Sequence, residues 1–197
     1  MIDFNKTLRS DKVVLCPLEF DDFHSMTDLT QDPGMWTYFT SDLSKPEHLQ
    51  KWISEAISEK IEKKRLAFAI YDEKTSKLIG STSLGNISER DKRIEIGWTW
   101  IGKAYQGKGY NALVKFILLQ YCFDECGFER VEFKTDLLNI PARNAMKKMG
   151  IVEEGILRSH TLMTGNRRRD TIFYGVLKDE WEALKLKLST TSVLENS

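Results

Sequence analysis

The sequence predicts a mixed α/β fold, one sheet covered by helices, and three observations carry that reading. Short alternating or β-rich runs recur between amphipathic stretches of helical length. No internal repeat or low-complexity tract is present, and no Gly/Ser/Pro-rich linker divides the chain. At 197 residues the chain is long enough for one sizeable core. The expected layout is a loose N-terminal extension over residues 1–9, a single domain over 10–188 and a flexible C-terminal tail over 189–197.

Residues 12–18 (K-V-V-L-C-P-L) read as a strand halted by Pro17. Asp21 and Asp22 cap a short helix to about Leu29, and an irregular stretch containing Asp32-Pro33-Gly34 follows. Ser44 at an N-cap and Pro46 in the first turn open a second helix, where Leu49, Trp52, Ile53, Ala56, Ile57 and Ile61 recur at helical spacing. Residues 66–71 and 77–85 are strands joined by the turn 72–76. Residues 93–100 (R-I-E-I-G-W-T-W) alternate, which places Ile94, Ile96, Trp98 and Trp100 on one face and Arg93, Glu95, Gly97 and Thr99 on the other. A long helix runs over 109–126, a strand over 130–135, and a short helix over 141–149 that Gly150 ends. Two strands, 152–163 and 171–177, meet at the turn Thr164-Gly165-Asn166-Arg167, and residues 180–188 close as a helix.

Lys and Arg total 29 and Asp and Glu total 29, so the net charge is zero and bulk nucleic-acid binding is not expected. Cys16, Cys122 and Cys126 are too few for a disulfide framework. Cys122 and Cys126 share one helical face, where two small core residues are the commoner reading over a metal site. His24, His48 and His160 are scattered, and no metal is expected. No apolar run reaches signal-peptide length at the N-terminus, nor the ~20 residues of a membrane span elsewhere, so the expectation is a reduced, cytoplasmic protein with no membrane partner.

One segment stands apart: a strand ends at Trp98-Thr99-Trp100, and a glycine-rich loop, Gln106-Gly107-Lys108-Gly109-Tyr110-Asn111, enters the long helix. Glycine lets such a loop point successive backbone N–H groups one way, and the first helical N–H groups and the helix dipole favour an anion there. Residues 102–108 spell G-x-x-x-x-G-K, yet Gly109 stands where a Walker loop needs Ser or Thr, and Ala112 breaks a dinucleotide fingerprint. By itself the loop is equally an ordinary strand-to-helix turn.

With its surroundings the segment resembles the GNAT acetyltransferases, and more closely their RimJ/RimL-type branch, which acetylates N-terminal and small amines. The likeness rests on E-I-G-W (95–98), Y-Q-G-K-G-Y (105–110), N-I-P-A-R-N (139–144), K-K-M-G-I (147–151), E-E-G-I-L-R (153–158) and R-R-D-x-x-x-Y (168–174), and runs from about residue 13 to 181. The resemblance implies a twisted, mostly antiparallel mixed sheet of about seven strands flanked by helices, splayed between the fourth and fifth. It implies acetyl-CoA as cosubstrate, with the pyrophosphate on Gln106, Gly107, Lys108, Gly109, Tyr110 and Asn111. The pantetheine arm would lie along Trp98, Thr99 and Trp100, and Asn139 and Asn144 would complete that side. Asn139 is equally a turn residue before a helix.

The reaction so implied is direct attack of a primary amine on the thioester in a ternary complex. The amine is a protein N-terminus or a small molecule, and the protein a monomer or small homo-oligomer such as a homodimer. A protonated amine needs a base. Glu95 is the first candidate, against a reading in which it pairs with Lys92 or Arg93; His160 is the second, against a hydrogen-bonded wall residue. Trp36 and Tyr38, with Phe39, would line the acceptor pocket or belong to the core. Arg167-Arg168-Arg169 is a solvated turn, or else meets an acidic acceptor or RNA. Three positions depart from the family pattern: Asn111 replaces a Gly or Ala, Met146 a Tyr general acid, and Ala142 a Ser. Tyr105, Tyr110 and Tyr174 are left as possible proton donors. Met146 and Ala142 favour, as the alternative, a non-catalytic acyl-CoA-binding or regulatory module of the same fold.

Overall fold

The structure is a computed structural model that describes residues 1–190, so residues 191–197 of the expected tail lie outside the described residues. In chain order the elements are β1 (Leu8–Arg9), β2 (Val13–Pro17), α1 (Phe23–Thr30), α2 (Pro46–Ile61), β3 (Leu66–Asp72), β4 (Leu78–Ser88), β5 (Arg93–Ile101), α3 (Tyr110–Gln120), β6 (Arg130–Asp136), α4 (Ile140–Met149), β7 (Val152–Leu162), β8 (Arg168–Leu177) and α5 (Lys178–Thr190). They build one sheet in the order β1-β2-β3-β4-β5-β6-β8-β7. It has eight strands where about seven were expected, because the two-residue β1 pairs with β2. Leu8 is buried, and Asp3 N–H donates to the Tyr121 hydroxyl, so the N-terminal residues expected to be loose pack along the end of the α3 segment.

Apolar side chains divide between the faces. Ile70, Ile79, Ile94, Ile96 and Phe133 join Val114, Leu118, Met146 and Trp181 in a core under α3, α4 and α5. On the other face Ala67, Ala69, Leu78 and Trp100 meet Met26, Leu49 and Ile53 of α1 and α2. Trp181 is fully buried and stacks on Phe123 at 5.5 Å, which fixes α5 against the π-helical turn Tyr121–Glu125 that extends α3. Lys45, not Ser44, is the N-cap of α2, with Pro46 as the first helical residue. At the other end of the chain α5 continues through Ser189 and Thr190, past the expected start of the tail.

Two features of the sheet position everything that follows. Among the described residues the only parallel neighbours are β5 and β6, and they pair only where Arg93, Ile94 and Glu95 face Arg130, Val131 and Glu132. Beyond Glu95 the strands splay, and the opening lies between residues 93–101 and 130–136, the two strands expected to part; they are fifth and sixth here only because β1 is counted. The second feature is a bulge in β5. Gly97 pairs with Ser83 and Trp100 with Ser81, so Trp98 and Thr99 together face Thr82, and Trp98 has φ +52°. One extra residue reverses the alternation. Trp98 and Trp100 therefore leave the face of Ile94 and Ile96 and turn toward α1 and α2, contrary to the strict alternation read from the sequence.

Candidate acyl-transfer site

The loop below the splay is held by its own side chains. Gly107 and Gly109 have φ +73° and +74°, and Gly109 is the N-cap of α3. Gln106 Nε2 donates to the Ile101 carbonyl at 2.8 Å, tying the loop to the end of β5. Lys108, exposed, places Nζ 5.8 Å from the Tyr105 ring. Tyr110 donates its hydroxyl to Asp72 at 2.6 Å, and that bond to a carboxylate is the main cause of a phenol pKa raised to about 12. Tyr110 is thereby a brace between α3 and β3. Asn111, on the first turn of α3, accepts a hydrogen bond from Lys115.

Glu95 sits at the root of the splay, only 5% exposed. Its Oε2 accepts from Lys134 Nζ at 2.8 Å and from Asn86 Nδ2 at 2.6 Å. Lys92 and Arg93, the partners weighed from sequence, pair instead with Glu129 and with Asp91 and Glu132. Oε1 takes no hydrogen bond among the described residues and occupies space that a side chain at Gly97 would fill, a Cβ there lying 2.8 Å from it. Alternation with Ile94 and Ile96 turns Glu95 toward α1 and α2, so the bulge brings Trp98 to the same side as the carboxylate.

That side holds a cavity of about 150 Å³ lined by Trp36, Phe39, Trp52, Arg65, Trp98 and Trp100, among others. Trp36 donates Nε1 to the Thr30 carbonyl at 2.9 Å and packs edge-on against Phe39 and Trp100. The Arg65 guanidinium lies 5.5 and 5.3 Å from the Trp52 and Trp98 rings and pairs with Glu59 at 2.5 Å. Gly85 leaves room for the Trp98 ring, which a Cβ there would meet at 2.8 Å. Trp36 thus lines the cavity, whereas the half-buried Tyr38 does not and Phe39 takes that place. A larger cleft of about 490 Å³ lies between residues 6–12 and α3, and none of its lining residues belongs to the loop, the splay or the aromatic cavity.

The remaining candidates fall at the edges of this arrangement. Asn139 caps α4, its Oδ1 accepting from Ala142 N–H at 3.2 Å and its Nδ2 donating to Thr135 Oγ1 at 3.2 Å, while Asn144 is exposed. His160 lies on the exposed strand β7, Nδ1 being 3.1 Å from both Thr161 and Thr171 Oγ1, and makes no hydrogen bond to Glu95. Thr171 Oγ1 also accepts from Arg169 Nε at 3.0 Å. The three arginines are not a solvated turn: Arg167 pairs with the fully buried Asp136, Arg169 is buried, and only Arg168 is exposed. A buried carboxylate needs that cation. Met146 belongs to the core, and Tyr174 is buried beside Glu153 and Arg143, desolvation raising its pKa. Among the described residues there is no cluster of three or more His, Cys, Asp or Glu that could hold a metal, and no helix is long and apolar enough to cross a membrane.

Sequence reasoning missed Lys134, Asn86, Arg65 and Lys115. Lys134 was legible in principle, since it alternates with Val131 and Phe133 on a strand beside Glu95; Asn86 and Arg65 come into place only through pairing of β4 with its neighbours. A family profile described as the acetyltransferase (GNAT) domain matches residues 12–152, well over half the chain. The chain belongs to the GNAT acetyltransferase family. Among its GNAT relatives, YdaF of Bacillus subtilis (strain 168), provisionally named a ribosomal N-acetyltransferase, is 33% identical over 108 residues, which are 55% of this chain and 58% of that protein. The uncharacterized N-acetyltransferase p20 of Bacillus licheniformis is 24% identical over 180 residues, covering 89% of this chain and 98% of that one. A solved GCN5-related N-acetyltransferase from Brucella melitensis superposes with a TM-score of 0.84 at 27% identity, covering 94% of this chain and 84% of the other.

Proposed function

We propose that the protein is an acetyl-CoA-dependent N-acetyltransferase that passes an acetyl group to a primary amine, by direct attack in a ternary complex, in the manner of the RimJ/RimL-type branch. The observation that carries this reading is the opening between β5 and β6 with the Gly107–Gly109 loop and the α3 N-terminus beneath it. The residues present suit such a donor. Past Glu95 the edge of β5 that faces β6 has no partner strand among the described residues, so an amide-containing arm can pair with it at Trp98, Thr99 and Trp100. Below, glycines in left-handed geometry leave backbone N–H groups for a diphosphate on Gln106, Gly107, Lys108, Gly109, Tyr110 and Asn111. When bound, acetyl-CoA supplies an activated acyl group on a thiol that leaves readily, with a pKa of roughly 8.5 by analogy with cysteine.

The chain's own part is to place the amine and take its proton. The aromatic cavity holds the amine-bearing group, and Glu95 Oε1, left free while Oε2 is fixed by Lys134 and Asn86, accepts the proton directly or through one water. In this reading Asn139 steadies the turn beside the arm, Asn144 flanks it on α4, and His160, held by Thr171, is the second candidate base. The rival reading, a non-catalytic acyl-CoA-binding module, is favoured by the state of two of the candidate positions for a thiolate proton donor: Met146 is in the core and Tyr110 is committed to Asp72. Thiol release from acetyl-CoA across N-terminal peptides, polyamines, amino acids and aromatic amines separates the two. Release with any acceptor that Glu95→Gln abolishes supports the enzyme; binding without release supports the module.

A further inference from the structure

Lys115 lies one helical turn beyond Asn111 on α3 and is only 4% exposed. Helical side chains lean toward the helix N-terminus, so Lys115 reaches back to the first turn, where its ammonium donates to Asn111 Oδ1. That is its one hydrogen bond among the described residues, and it has no carboxylate partner. The other buried cations do not share this state: Arg65 pairs with Glu59, and Arg169 lies in the field of Asp136 and Glu95. Burial without a counter-charge pulls the lysine pKa down to about 8, desolvation being the sole cause. An uncompensated buried charge costs stability and marks a place where an anion is expected.

The partner's orientation follows from the donor. An ammonium offers only protons, so the Asn111 atom facing it is the oxygen, and the amide NH₂ is left to donate to another group. Asn111 is also the residue that departs from the small residue of the family pattern. We propose that Asn111 and Lys115 act together as the diphosphate-reading pair of the donor site, Lys115 positioning the Asn111 amide and supplying the positive charge beneath the α3 N-terminus. This rests on the acetyl-CoA reading above. The Asn111 side chain, in place of the family's small residue, then adds a hydrogen bond to the donor.

The test compares acetyl-CoA with acetyl-pantetheine, which keeps the thioester arm and lacks the diphosphate, by titration calorimetry on the full chain. Lys115→Met, similar in volume and without charge, is expected to weaken acetyl-CoA binding about tenfold and leave acetyl-pantetheine unchanged. Asn111→Ala should do the same, and the double variant should be no weaker than either single one, as for two residues acting as one unit. Equal losses on both ligands, no loss on acetyl-CoA, or additive losses overturn the proposal. Should Lys115→Met not fold, the Asn111→Ala comparison decides alone. Wild-type protein that binds acetyl-CoA no better than acetyl-pantetheine would defeat the donor reading itself, and this proposal with it.

Discussion

Glu95 and Lys115 are both almost fully buried ionic groups, on opposite sides of the same sheet, and the fold treats them differently. Glu95 has a cation at 2.8 Å and an amide donor at 2.6 Å on the same oxygen, so its charge is matched inside the protein and its second oxygen is free. Lys115 has an uncharged amide oxygen and nothing more among the described residues. A matched charge with one idle atom is suited to moving a proton; an unmatched one is suited to receiving a ligand of opposite sign. The contrast separates the proposed acceptor side, where the buried charge is matched, from the proposed donor side, where it is not.

The largest expected effect falls on Glu95. Glu95→Gln keeps the shape and the Asn86 neighbourhood but removes the base, and kcat should fall at least a hundredfold with acetyl-CoA affinity unchanged, measured by thiol release and calorimetry. Unchanged turnover would move the base elsewhere. Next, Lys134→Met leaves the Glu95 carboxylate buried without its cation and should destabilise the fold by about 2 kcal/mol in urea unfolding. A neutral result would mean that Asn86 alone suffices.

Lys115→Met should act in the opposite direction, because it deletes a buried charge that has no partner: the free protein should melt a few degrees higher than wild type at pH 7. The pH dependence sharpens this. An unfolded lysine keeps its proton up to about pH 10.5, whereas the folded one loses it near 8. Between those values the unfolded state binds more protons, so the Lys115 contribution to stability rises with pH. The advantage of Lys115→Met should therefore shrink from pH 8 to 10.5 in melts of both proteins; an advantage that grows with pH would contradict the burial argument. Smallest is Gly109→Ala, a Cβ at φ +74°, which should cost about 1 kcal/mol in the same unfolding measurement.

Much of the geometry of the loop over residues 106–111 was legible in the sequence because its signals are local. Gln106, Gly107 and Gly109 announce a strand-to-helix loop by residue type and spacing, and Gly150 ends α4 in the left-handed geometry its position suggested. The aromatic cavity and its surroundings were read less well for a physical reason. Residues 93–100 alternate without interruption in sequence, yet one bulged residue, Trp98, turns two tryptophans across the sheet, and nothing in the alternation marks it. The arginines 167–169 looked like a solvated turn because Asp136, the buried carboxylate that Arg167 pairs with, lies 31 residues away and meets it only through β6–β8 pairing. Lys115 passed unnoticed since a lysine among apolar helical positions is ordinarily surface, and only its burial shows otherwise.

The most direct test of the donor site is the melting temperature of the full chain with and without acetyl-CoA, with ATP and NAD as controls. At about 100 times its dissociation constant, a ligand that binds only the folded state adds about 2.7 kcal/mol, a shift of several degrees. The account predicts that shift with acetyl-CoA and none of comparable size with ATP or NAD. No shift with acetyl-CoA, or an equal one with all three, would contradict it.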